Sequence, residues 1–82
     1  MKYFVYILYS QKLDKYYVGT TNDIARRVYE HNIGHSKFTR RGVPWELKLK
    51  MEFDSKKEAD QEERRIKGRK SRRYIEKIIR EG

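Results

Sequence analysis

The run from Tyr3 to Tyr9 constrains the fold more than any other segment of the chain. It is an unbroken series of aromatic, β-branched and aliphatic side chains, with no polar residue to mark a face that water could reach. Such a run is typical of a strand that is covered on both faces. The 82 residues are enough for one domain, residues 1–82, built around a single modest core.

Turn residues and changes in hydrophobic period divide the rest of the chain into two more strands and three helices. In chain order these are expected at Tyr16–Gly19, from the cap Thr21-Asn22-Asp23 to about Ile33, at Trp45–Phe53, from Ser55 to Gly68, and from about Ser71. Residues 34–44 form a basic loop. The order β-β-α-β-α-α predicts an α+β fold, with a small, mainly antiparallel three-stranded sheet flanked by helices.

The first two strands are spaced as a hairpin. Their tyrosines Tyr6 and Tyr17 share a face if, for example, Tyr6 lies opposite Gly19 and Leu8 lies opposite Tyr17. That register leaves residues 11–14 as the loop and open space at Gly19 beside two phenol hydroxyls. The ordinary alternative is that both rings fill the core and their hydroxyls bond to the backbone.

Glu63 is a carboxylate at a position where the helical pattern calls for an apolar side chain. The segment Ser55–Glu58 is a capping box that opens the helix, and Ala59, Glu63 and Ile66 then share one face. A buried carboxylate is costly unless a cation pairs with it or a metal binds it. Glu62 lies about 60° from Ala59 on the flank of this face and is the alternative ligand, at 100° per residue.

The first predicted helix carries two basic residues on the flank of its apolar stripe. Ile24 and Val28 define the stripe, and Arg27 and His31 are i, i+4 neighbours beside it. Both are well placed to reach over the adjacent sheet edge. Taken singly, Arg27 has an ordinary explanation as a snorkelling side chain and His31 as a satisfied histidine at the core boundary.

The net charge of +9, from 21 Lys and Arg against 12 Asp and Glu, indicates a polyanionic partner. Nucleic acid is the leading candidate, and an acidic lipid or protein is the alternative. Seven of the ten residues from Arg64 to Arg73 are cationic, more than a solvated helix end requires. The residues expected to contact DNA phosphates are Lys37, Arg40, Arg41, Arg64, Lys67, Arg69, Lys70, Arg72 and Arg73.

Composition also excludes some classes of site. The chain has no cysteine, which rules out disulfides and thiolate zinc sites. No apolar run approaches the roughly 18 residues of a membrane span. The N-terminus lacks the features of a signal peptide, so the expected location is the cytoplasm.

The order and spacing of these residues resemble the GIY-YIG nuclease family, over nearly the whole chain. The matching positions are Phe4-Val5-Tyr6, Tyr17-Val18-Gly19, Arg27, His31 and Glu63. The chain is especially similar to small standalone bacterial members, which share the turn Lys37-Phe38-Thr39-Arg40 and the helix pattern Ala59-x-x-x-Glu63-x-x-Ile66-Lys67. The motif departs from the family name at Phe4, where the name has Gly, and in carrying Val for Ile.

The resemblance implies hydrolysis of DNA phosphodiesters with one divalent metal, Mg²⁺ or Mn²⁺. Tyr6 matches the tyrosine proposed as general base, and Tyr17 matches the second motif tyrosine. Arg27 matches the arginine that stabilises phosphate charge, and His31 falls at a site position that is often His or Tyr. Glu63 matches the metal ligand. A structural Glu63 would pair directly with Arg27, so we expect no such pair and an open cleft instead.

The expected activity is therefore that of a DNA endonuclease with low sequence specificity, structure-selective in DNA repair or recombination. Since no second domain is present, a protein partner would supply further specificity. Two alternatives stay open at this point. One is a nucleic-acid-binding module on the same scaffold with little or no turnover, and the other is a subunit whose basic face docks an acidic protein.

Overall fold

The computed structural model describes residues 1–82 as three antiparallel strands and three α-helices. The elements are β1 (Tyr3–Ser10), β2 (Lys15–Thr21), α1 (Ile24–Asn32), β3 (Trp45–Phe53), α2 (Lys56–Arg69) and α3 (Arg72–Glu81), with a short 3₁₀ helix at Arg40–Gly42 between α1 and β3. The sheet order is β2-β1-β3. The predicted fold class and element order are confirmed. None of the helices has the length and apolar content needed to cross a membrane.

β1 is the central strand because it is apolar on both faces. Val5 and Ile7 point to one side, where they pack with α2 and α3. Tyr6 and Leu8 point to the other side, where they pack with α1 and the start of β3. All four residues are buried, so the expectation of a strand covered on both faces is confirmed. The sheet therefore separates two small cores.

The hairpin between β1 and β2 has the register expected from the sequence. Tyr6 lies opposite Gly19, and Leu8 lies opposite Tyr17. Residues 11–14 form the turn, which Asp14 completes with a positive φ of 53°. Asp and Asn tolerate this left-handed conformation better than most residues do. The register places Gly19 and both tyrosines on the α1 side of the sheet.

β3 supplies side chains to both cores, which the sequence pattern did not predict. The alternation of apolar and charged residues from Trp45 to Phe53 predicts a half-buried strand with one wet face. Pairing between β1 and β3 instead shifts between Ile7 and Leu8, so that Leu49 pairs with Ile7 and Leu47 pairs with Leu8. A bulge of this kind places two residues of one strand against one of its partner and changes which face follows. Leu47 therefore packs in the α1 core, and Leu49 packs in the α2–α3 core.

Each helix begins at a side-chain cap that accepts a backbone N–H, as the sequence predicted. Asp23 caps α1, Ser55 caps α2 and Ser71 caps α3. The expected end of α2 at Gly68 is wrong. Gly68 lies inside the helix, which continues to Arg69 and ends at Lys70 in the left-handed conformation (φ 48°). A left-handed lysine costs only about 1–2 kcal/mol, so packing beyond the helix end can set that boundary.

Candidate active site

Tyr6 and His31 are joined by a hydrogen bond within the α1-side core. The Tyr6 hydroxyl lies 3.0 Å from Nε2 of His31, and Nδ1 of His31 lies 2.8 Å from Oγ1 of Thr39. His31 is 0% exposed and Tyr6 is 1% exposed. His31 reaches this position because it follows Val28 by three residues on the inner face of α1. The three side chains form one continuous line of hydrogen bonds.

The two titratable groups of this line, Tyr6 and His31, are neutral near pH 7. Burial, reinforced by the neighbouring Tyr17, raises the pKa of Tyr6 to about 12, while the Arg27 guanidinium acts in the opposite direction. Burial, together with the charge of Arg27, lowers the pKa of His31 below its usual value. In a neutral imidazole one ring nitrogen donates and the other accepts. The line therefore can pass a proton along its length.

Gly19 gives the Tyr6 hydroxyl its space at the sheet edge. A Cβ at residue 19 would lie 2.6 Å from the Tyr6 hydroxyl oxygen and 3.1 Å from a ring carbon of Tyr17. The first distance is shorter than real Cβ contacts and the second is tight, so a side chain at residue 19 would displace the Tyr6 hydroxyl. Tyr17 packs over the same place, with its ring edge-on to His31 at 4.9 Å between centroids.

Arg27 and Glu63 do not pair with each other. Nη1 of Arg27 donates to Oε1 of Glu30 at 2.9 Å, and Nζ of Lys67 donates to Oε2 of Glu63 at 2.8 Å. The hydrogen bond from Arg27 lowers the pKa of the Glu30 carboxyl. The guanidinium also lies close enough to Tyr6 to act on its pKa. The direct ion pair expected of a purely structural Glu63 is therefore absent.

Burial does not distinguish Glu63 from Glu62, because their side chains are 22% and 19% exposed. Their neighbours do distinguish them. The Arg65 guanidinium holds both carboxylate oxygens of Glu62 and also reaches the hydroxyl of Tyr74 on the α3 side. Glu63 is near enough to Tyr6 for its charge to disfavour the ionised phenol. Of the two carboxylates, Glu63 is thus the one whose charge acts on Tyr6, as the weakest of the influences on that pKa.

The expected open cleft over all five candidate residues is wrong. Tyr6 and His31 are buried, and two separate grooves run along β2 on either side of Gly19. One groove, at the start of α1, includes Arg27. The other, between β2 and the α2–α3 junction, includes Tyr17 and Lys67. Tyr6 and His31 line neither groove, so the five candidate residues do not share one open cavity.

The nine candidate DNA-binding residues fall into two groups on opposite sides of the sheet. Lys37, Arg40 and Arg41 form the loop group, beside Thr39 and Gly42, which contact the α1-side core. The helix group lies on α2, α3 and their junction, and comprises Arg64, Lys67, Arg69, Lys70, Arg72 and Arg73. Because α1 and the α2–α3 pair cover opposite faces of the sheet, the two groups do not form one continuous groove.

Some of the helix group is already engaged within the protein. Lys67 pairs with Glu63, and Arg72 bonds to Asp14 and Glu76. Arg69 lies over the ring of Tyr74, 4.2 Å from its centroid. These contacts hold the side chains in place but leave fewer free charges than the sequence count suggests.

The sequence did not identify Thr39 and Trp45 as part of the site. Nε1 of Trp45 donates to the carbonyl of Thr39 at 2.6 Å, and Asn32 bonds to both backbone groups of Trp45. Together they fix the loop that carries the Thr39 hydroxyl to His31. The one sequence signal for Thr39 was its place in the turn Lys37–Arg40.

The side chains fit a divalent metal only as a site completed by water and substrate. No group of three or more His, Asp or Glu side chains converges at any place in the structure. Mg²⁺ usually retains several waters and binds through one or two carboxylates plus phosphate oxygens. Glu63 supplies one such carboxylate, on a side chain that is partly exposed.

Comparison with known proteins identifies the family. The model of the GIY-YIG catalytic domain matches residues 2–76. A UPF0213 protein of Halobacterium salinarum is 51% identical over 53 residues, covering 63% of this chain and 69% of that protein. A UPF0213 protein of Halalkalibacterium halodurans is 38% identical over 80 residues, covering 96% and 83%.

The solution NMR structure of the UPF0213 protein BH0048 from Bacillus halodurans resembles this fold with a TM-score of 0.60 at 38% identity. The match covers 96% of this chain and 83% of that chain. The matching family model spans β1 to α3 and includes every candidate site residue. The chain belongs to the GIY-YIG family of nuclease domains.

Proposed function

We propose that this protein is a metal-dependent endonuclease that hydrolyses DNA phosphodiester bonds with low sequence specificity. Family membership supports the reaction class. The single observation that carries the proposal is the hydrogen bond between the Tyr6 hydroxyl and His31, which lies beside Arg27 and Glu63. Structure-selective cleavage in cytoplasmic DNA repair or recombination, with a protein partner adding specificity, belongs to the same proposal.

The pair Tyr6–His31 overcomes the weakness of a phenol as a base. A phenol with a pKa of about 12 is not ionised at pH 7 and is therefore a weak base on its own. It can take the proton of an attacking water while its own proton passes to Nε2 of His31, in the tautomer that leaves this nitrogen free. His31 becomes an imidazolium, and Thr39 accepts the hydrogen bond from its Nδ1–H. The proton count is unchanged across the relay.

Arg27 and Glu63 have complementary roles in this proposal. Arg27 stays protonated at any relevant pH and presents donors suited to a phosphate, held in place by Glu30. Glu63 would hold Mg²⁺ or Mn²⁺ together with waters and phosphate oxygens. Such a metal stabilises charge on the phosphate and on the leaving oxygen. Lys67 contacts only Oε2 of Glu63, so Oε1 is available to a metal.

Cleavage of plasmid, flap and branched DNA in Mg²⁺ or Mn²⁺ tests the proposal. We expect Glu63→Gln, which keeps the shape of the side chain, to abolish cleavage but retain DNA binding. Glu62→Gln on the same helix is the matched control and should cleave like the wild type. Tyr6→Phe keeps the packing but removes the relay, and should slow cleavage by about 10²- to 10⁴-fold.

A binding module without turnover is the second candidate, favoured by one observation. The Lys67 ammonium already pairs with the carboxylate that a metal would need. The binding-module hypothesis is supported if the wild type and Glu63→Gln are equally inert on every substrate yet bind DNA with a steep salt dependence. Equal cleavage by the two proteins would contradict the role given to Glu63.

A further inference from the structure

Phe38 is the most exposed large apolar side chain in the protein, although its neighbour in sequence is buried. Phe38 is 92% exposed and Thr39 is 1% exposed. A single exposed apolar residue is common on protein surfaces and needs no special explanation when its loop is free. The loop around Phe38 is not free, and that difference carries the inference.

Hydrogen bonds fix the backbone on the C-terminal side of the ring. The carbonyl of Ser36 accepts from the N–H of Thr39 at 3.3 Å and from the N–H of Arg40 at 3.0 Å, which closes a turn around Phe38. The carbonyl of Thr39 accepts from the Trp45 indole, and its hydroxyl bonds to His31. The fold therefore holds the backbone around Phe38 in place and leaves its ring exposed to solvent.

The same turn connects Phe38 to the reacting groups. Thr39 follows Phe38 directly and bonds to His31, which bonds to the Tyr6 hydroxyl. Only the side chains of Thr39 and His31 stand between the turn and the phenol. A ligand that contacts Phe38 therefore approaches the α1 side of the sheet, where the relay lies.

The neighbouring charges indicate what the ring contacts. Lys37, Arg40 and Arg41 are all exposed around it. An aromatic ring among cations is the arrangement that binds single-stranded nucleic acid, because cations follow the phosphates and the ring stacks on a base. A fully paired duplex hides its base faces, whereas an unpaired base or a strand junction offers one. An exposed aromatic ring with cations beside it suits nucleic acid better than an acidic protein surface, which offers negative charge but no base to stack on.

We propose that Phe38 stacks on an unpaired base beside the scissile phosphate, so that DNA with a single-stranded segment is the preferred substrate. The substrate preference rests on the proposed nuclease function, whereas the stacking contact concerns binding alone. Phe38 is then a specificity-determining residue, and the loop group of cations tracks the strand that leaves the duplex.

Binding measured in EDTA tests the contact without any cleavage. The probes are two DNA hairpins whose loop is replaced by a non-nucleotide linker: one has a single-stranded tail that carries 2-aminopurine, and the other is fully paired and of the same length. We expect Phe38→Ala to weaken binding of the tailed hairpin by about tenfold or more, the scale of one base–aromatic stack. Binding of the paired hairpin should change by less than about twofold, and the 2-aminopurine quenching seen with the wild type should disappear.

Three variants sharpen the result. Phe38→Trp restores a stacking ring and should recover both affinity and quenching, whereas Phe38→Leu keeps apolar bulk and should not. Tyr29→Ala removes another exposed aromatic residue, on the outer face of α1, and should bind like the wild type. Because Phe38 makes almost no internal contact, its variants should keep the wild-type melting temperature.

Two outcomes separate this inference from the proposed function. Wild-type affinity and quenching in Phe38→Ala would overturn the stacking contact, even if the protein cleaves DNA. A protein that cleaves nothing but loses tail binding on Phe38→Ala would refute the nuclease proposal and leave the contact standing.

Discussion

His31 combines complete burial with two hydrogen bonds, and this gives it a pH signature. Burial lowers its pKa below the usual value, so protons bind more readily to the unfolded chain. The stability it contributes is fully present above the ordinary histidine pKa of about 6.5 and is lost as the pH falls towards the folded-state value. We expect the free energy of unfolding of the wild type to decrease as the pH is lowered through this range.

Urea unfolding at a series of pH values measures the effect. His31→Gln should lower stability overall but flatten the dependence between about pH 7 and 5. His35→Gln, at the exposed second histidine, is the control and should keep the wild-type slope. If all three proteins lose stability equally over this range, His31 is not the group responsible.

At the level of residues, the sequence predicted what local pattern determines and missed what the fold brings together. Gly19 and Tyr6 followed from strand register, which has a period of two and leaves few choices. Thr39 did not, because its contact with His31 depends on how residues 34–44 return to the sheet. The burial of His31 was underestimated for the same reason, since helical period alone placed it at the boundary.

At the level of elements, Gly68 provides a test of where α2 ends. A Cβ at residue 68 meets no atom within 4 Å, and the residue lies inside the helix. We expect Gly68→Ala to stabilise the protein by about 0.5–1 kcal/mol. Thermal unfolding should show a rise in Tm of roughly 2–8 °C.

Gly19→Ala is the opposite case and serves as the control for the same substitution. Its new methyl group would meet the Tyr6 hydroxyl at 2.6 Å, so it should lower Tm and disturb the relay. A destabilised Gly68→Ala protein would place the end of α2 before residue 68, as the sequence first suggested.

Caps and turns accounted for most elements because each one satisfies backbone groups locally. Asp23, Ser55 and Ser71 each supply the side-chain oxygen that a helix start requires. Two features were not predicted. Lys70 ends α2 in a conformation that glycine favours, and the bulge in β3 redirects Leu49. Both depend on packing between elements, which a local pattern does not contain.

At the level of the whole molecule, the two cationic groups belong to opposite sides of the sheet, in a molecule whose smallest extent is 19 Å. A straight duplex can contact mainly one side. We expect Arg40→Gln with Arg41→Gln, in the loop group, to reduce the salt dependence of binding to DNA with a single-stranded tail by about 1.4, at about 0.7 per phosphate contact. Lys70→Gln with Arg73→Gln, in the helix group, should matter for binding of the duplex part and little for the tail.

Fluorescence anisotropy over a range of salt concentrations provides the slopes. Lys12→Gln with Lys77→Gln removes the same net charge from other exposed positions and is the control. If this control lowers the slope as much as the loop variant does, then the overall charge is responsible for binding and neither group forms a defined surface.

The central residues of the candidate site are also core residues, and this affects which site residues relatives can replace. Tyr6 and His31 fill volume and satisfy each other inside the protein, so selection for stability alone would retain them after activity was lost. In the proposed mechanism Glu63 serves cleavage alone; it is partly exposed and pairs with Lys67, so a lineage released from catalysis could replace it at little cost. Among relatives of this chain, the residue aligned with Glu63 should therefore be the earliest marker of lost cleavage.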